Sequence, residues 1–121
     1  MTERRPLVHY RDETEPTSCP YGDVTRVVTG GQGGIANVHV VRVTKGTTHY
    51  HAEYDEVYYV LSGRGSITIA ETDHALRPGA VVVIPRGIPH SLEADGGDTL
   101  EFIIFGSPAM AIDDERARPR A

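Results

Sequence analysis

His49 and His51 stand two residues apart, Glu56 follows five residues after His51, and His90 comes much later in the chain. These residue types at this spacing are suited to gripping a metal ion. In an extended strand, residues i and i+2 share a face, so His49 and His51 can hold one ion together. Three neutral nitrogens and one carboxylate oxygen make a borderline ligand set. It fits one divalent transition ion (Fe, Mn, Ni or Zn) better than calcium or magnesium. Four ligands also leave room for open coordination positions, where substrate chemistry takes place.

Positioning these residues requires particular elements. Because Glu56 is five residues from His51, an unbroken strand would point it to the opposite face. Ala52-Glu53-Tyr54-Asp55 must therefore turn or bulge, with Glu56 opening the next antiparallel strand beside the histidine pair. His90 follows Pro85-Arg86-Gly87-Ile88-Pro89, a stiff turn with little freedom to lose. Val81-Val82-Val83-Ile84 is expected as a buried strand anchoring that turn.

Short segments rich in Val, Ile, Thr and Tyr predict strands near 24–29, 35–44, 48–51, 56–61, 66–70, 80–84, 90–93 and 99–105. No internal stretch keeps a 3.6-residue apolar period, so helix is expected to be minor. Such spacing of short strands implies an all-β sandwich or small barrel. The barrel domain is expected over 24–107, an N-terminal arm over 1–23 and a C-terminal tail over 108–121, the tail as a short helical turn or disorder. Gly30-Gly31-Gln32-Gly33-Gly34 lacks the lysine and the strand-loop-helix context of a phosphate loop and reads as a flexible β-turn. In the strand from Glu56, the inward set is Glu56, Tyr58 and Val60. Val57, Tyr59 and Leu61 then point outward, too apolar for solvent, and a homodimer is the preferred cover.

At 121 residues the chain is of single-domain size. Its net charge of -5 argues against nucleic acid as a partner, since phosphate binding relies on clustered cations. One cysteine excludes an internal disulfide framework and fits a reducing cytoplasm. No apolar run reaches membrane-spanning length.

The motif His49-x-His51-x4-Glu56-x6-Gly63, followed by Gly79-x5-Pro85-x-Gly87-x2-His90, resembles the paired motifs of the cupin superfamily. Two departures stand out. Gly46 precedes His49 by a shorter gap than the family pattern, and Ala94 stands where that pattern often has Asn. The resemblance implies a double-stranded β-helix (jelly-roll) barrel with His49, His51, Glu56 and His90 as metal ligands. It also implies a small-molecule ligand in the barrel mouth.

Other residues carry two readings each. Tyr58 shares the face of Glu56 and is either a catalytic acid or base or a packing residue. Of His39 and Arg42, which have opposite parity, one faces inward as a substrate-binding candidate. Cys19 is a thiol over the barrel mouth or a small turn residue, and His9 and His74 read as exposed. The expectation is a metal-dependent enzyme on a small oxygen-bearing metabolite, anionic or carbohydrate-derived. Dioxygenase, isomerase, lyase and cyclase chemistries all remain open, as do a ligand-sensing module and a scaffold with a structural metal.

Overall fold

The computed structural model describes residues 6–109, together with the backbone alone at 116–117. The helical-turn reading of the tail falls mostly on residues outside these. The strands are β1 (Thr17–Cys19), β2 (Gly22–Val28), β3 (Asn37–Val43), β4 (Lys45–Tyr50), β5 (Asp55–Ser62) and β6 (Gly65–Ile69). They continue with β7 (Thr72–Leu76), β8 (Val81–Ile84), β9 (His90–Ala94), β10 (Leu100–Ser107) and β11 (Arg116–Ala117). All eight predicted strands are present, with ends shifted by a few residues. Sequence reading missed β1, β7 and β11. β7 (Thr-Asp-His-Ala-Leu) is mostly polar because four of its five residues are exposed.

Two antiparallel sheets face each other, in the orders β1-β2-β3-β10-β5-β8 and β11-β4-β9-β6-β7. From β3 onward the chain crosses between them: β3 lies in the first sheet, β4 in the second, β5 in the first, and β6 and β7 in the second. β8, β9 and β10 alternate in the same way. This is a double-stranded β-helix. It corrects one expectation, that β5 pairs beside the histidine strand. β4 pairs with β9, whereas β5 pairs with β10 and β8. The bend at 52–53 carries the chain across to the facing sheet.

Helix among the described residues is limited to two single 3-10 turns, Arg11–Glu13 and Gly30–Gln32. None is long and apolar enough to cross a membrane. The second replaces the expected β-turn in the glycine run. It is held by a capping box, with the Thr29 backbone N–H donating to the Gln32 side chain at 3.1 Å. Arg11 reaches the outer face of the first sheet and pairs with Glu101 at 2.9 Å.

Period-2 alternation builds the interior. Val41, Val43, Tyr58, Val60, Ile67, Leu92, Leu100 and Phe102 form its main cluster. Along each inward row, polarity changes from one end to the other. β5 runs Glu56, Tyr58, Val60; β3 runs His39, Val41, Val43; and β9 runs His90 then Leu92, all buried. One end of the barrel is therefore closed by apolar packing and the other is lined by groups that can bind. A second expectation fails here. β8 is not buried throughout: Val81 and Val83 are 61% and 64% exposed while Ile84 is buried. It is a sheet-edge strand with only one covered face.

Candidate metal centre

His49 on β4 and His90 on β9 are direct cross-strand partners, so their side chains leave the sheet side by side. The pairing steps from Gly46↔Leu92 to His49↔His90, which leaves an extra residue on β4 as a bulge. That bulge is the structural form of the shortened approach from Gly46. It also presents the Thr47 carbonyl to His49, whose Nδ1 lies 2.8 Å from it. His90 has the same arrangement, with Nδ1 3.0 Å from the Ile88 carbonyl of the proline turn. In each ring Nδ1–H donates to a backbone oxygen two residues earlier, which leaves the Nε2 lone pair for a ligand.

His51 follows the end of β4 and stacks on Tyr54, with ring centroids 4.5 Å apart. Its carbonyl accepts from Gly87 N–H at 2.7 Å, so the proline turn is tied to the histidine segment. Arg86 in that turn donates to Asp55 through its backbone N–H at 2.9 Å and through Nε and Nη2 at 3.2 and 3.1 Å. The three ligand-bearing segments are thus joined to one another before any ion is considered.

His49, His51 and His90 bring ligand nitrogens within 4.8 Å of one another. Glu56 approaches from the facing sheet: its Oε1 lies 3.2 Å from His51 Nε2 and 3.5 Å from His90 Nε2. Burial alone would raise the Glu56 carboxyl, but the His51 and His90 imidazoles facing it bring it down to about 2. Tyr58 donates its hydroxyl proton to Glu56 Oε1 at 3.2 Å and stacks on Phe102 below.

The donor set fits a transition ion on its own chemistry. His90 is only 2% exposed, yet its Nε2 makes no hydrogen bond among the described residues, with Glu56 Oε1 no nearer than 3.5 Å. A buried nitrogen left unpaired costs free energy, and a cation between the imidazoles would satisfy it.

These groups open into a cavity of about 630 Å³, a size suited to a metabolite. His39 is buried and lines it; Arg42 points outward, half exposed, 3.5 Å from Glu101. Cys19 lies partly buried on the rim, while His9 and His74 are exposed. Arg26 and Tyr54 are among the lining residues that were not singled out from sequence. Arg26 pairs with His39 across β2 and β3. Only that register reveals its direction, and a shift between Arg26 and Val28 hides it from simple alternation.

Comparison with known proteins agrees with this architecture. The chain is 30% identical over 110 residues to protein SchB of Streptomyces halstedii, covering 87% of this chain and 79% of that one. A crystal structure of a protein from Planctomyces limnophilus superposes with a TM-score of 0.78 at 28% identity, covering 93% and 96% of the two chains. Streptomyces Pac13, a nucleoside dehydratase solved with uridine, gives a TM-score of 0.77 at 19% identity, covering 95% and 92%. The cupin domain model matches residues 38–106, spanning β3 through most of β10 and every histidine of the centre. With that match over more than half its length, the chain belongs to the cupin domain family.

Proposed function

We propose that this protein is a metal-dependent enzyme acting on a small, oxygen-bearing anionic or carbohydrate-derived metabolite. His49, His51, Glu56 and His90 would hold one divalent transition ion. The observation that carries this reading is the buried Nε2 of His90, which makes no hydrogen bond among the described residues, beside imidazoles already oriented by backbone carbonyls. A bound ion would supply Lewis acidity toward a substrate oxygen and, with one carboxylate ligand, a net positive centre.

Tyr58 orients the Glu56 carboxylate through its hydroxyl and keeps lone pairs to accept a hydrogen bond from a substrate hydroxyl lying in the cavity. Of the reactions open to this ligand set, an isomerase or lyase is favoured over a dioxygenase or cyclase. The wall carries several groups able to move protons, His39, Tyr54 and Tyr58 among them, and a structural neighbour is a dehydratase.

The protein is also proposed to work as a homodimer. Val57 pairs with Val83 and with Phe105, and Tyr59 pairs with Val81, so their outward side chains form one contiguous apolar face. Tyr59, Val81, Val83 and Phe105 are 43%, 61%, 64% and 42% exposed, more than isolated apolar surface residues require.

Metal analysis of purified protein tests the central claim. About one transition ion per chain is expected, and His90→Ala should lose most of it. Unchanged metal content in that variant would remove the ligand assignment. The metal acquired on expression follows affinity order as well as need, so turnover is to be screened with each of Fe, Mn, Ni and Zn.

A further inference from the structure

We infer that Arg26 and His39 together anchor an anionic group of the substrate, a carboxylate or a phosphate, on the cavity wall away from the metal ligands. The inference rests on the proposed metal-enzyme reading and names the substrate class for the same cavity.

The two residues are direct partners across β2 and β3, and both line the cavity. Side chains directly opposite on an antiparallel pair start about 5 Å apart, so both can reach one group. The same row continues inward from His39 to Ile104 and then to Tyr58, the residue bonded to Glu56. Arg26 therefore sits three strands from Tyr58, about 14 Å along the sheet. The anchor and the metal ligands face the cavity from separate strands, with the apolar Ile104 between them. A ligand touching both carries its charge at one end and a metal-seeking oxygen at the other.

Charge points the same way. The chain is acidic overall, yet Glu56 is the one acidic residue among the described residues lining the cavity, and it faces the histidines. Arg26 brings a permanent positive charge to that wall. A guanidinium offers a planar fork of donors that matches carboxylate and phosphate oxygens, and a neutral imidazole adds one more N–H.

The test is calorimetric titration of the metal-loaded protein with glutarate, glycerol 3-phosphate and uncharged 1,5-pentanediol. At least one anion should bind about tenfold or more tightly than the diol, and which anion it is decides between carboxylate and phosphate. Arg26→Gln should weaken that binding by about tenfold and flatten its salt dependence while metal content stays at the wild-type level. Arg26→Lys, which keeps the charge without the fork, should recover part of the affinity and guards against a folding defect in the first variant. His39→Gln should give a smaller loss. Equal binding of anion and diol, or unchanged anion binding in Arg26→Gln, would overturn the anchor. Repeating the titration in His90→Ala separates the two ideas. A metal-poor wild type sinks the enzyme reading, whereas the anchor stands or falls on Arg26-dependent anion binding in that variant.

Discussion

At the residue scale, Glu56 is the hinge of the site, because one oxygen meets His51, His90 and the Tyr58 hydroxyl. Its carboxyl is held at about 2, so it stays ionised across any pH at which the protein would be studied. Metal affinity should fall on acidification, because imidazole nitrogens bind a metal only in their unprotonated form. The sign for the metal-free protein follows from linkage. A depressed folded-state value gives stability that is fully present above about 4.5 and is lost as pH falls toward 2. Urea melts at pH 6 and pH 3 should show this loss, and Glu56→Gln should remove it; an unchanged pH dependence in that variant would contradict the assignment. Tyr58→Phe should keep the metal and lose about 1 kcal/mol of stability with the hydrogen bond, but lose most turnover. Equal turnover would return Tyr58 to a packing role. The metal-competent residues were legible in sequence because ligand chemistry resides in residue type. Arg26 and Tyr54 were not, because an arginine and a tyrosine have many ordinary uses and only their direction distinguishes them.

At the scale of elements, positions of the two motifs acquire physical causes. Gly63, which ends the first motif, has φ +90, and a Cβ there would overlap the Thr99 carbonyl. Gly87 in the proline turn has φ +82 with open space around it. Gly63→Ala should thus cost more than Gly87→Ala, for which about 1 kcal/mol of left-handed strain is expected. Thermal melts of the two variants check the order, and comparable losses would mean that the Thr99 contact relaxes freely. The departure at Gly46 was visible as an altered spacing, but its form as a bulge that lends the Thr47 carbonyl to His49 was not. A bulge is a property of two strands in register, and one strand's sequence does not contain it.

For the molecule as a whole, the outward face of β5, β8 and β10 is where a second copy would sit. Standard interfaces combine an apolar centre with a polar rim, and a sheet-edge strand such as β8 is an exposed pairing surface. Light scattering should give twice the mass of the 121-residue chain. Tyr59→Glu with Val83→Glu should give the single-chain mass with the metal retained. A wild-type monomer would overturn the dimer and leave the metal centre untouched.

Alternation of apolar and polar residues in short segments was enough to specify an all-β barrel, because burial of one strand face imposes a period of two wherever it occurs. The four metal-competent residues and the stiff turn before His90 were likewise written in residue type and spacing. What they could not contain was which strands meet. That His49 stands beside His90, that Glu56 reaches them from the facing sheet, and that His39 turns in while Arg42 turns out are all matters of long-range register. Register is set by the packing of the whole barrel, and it converts separated residues into one site.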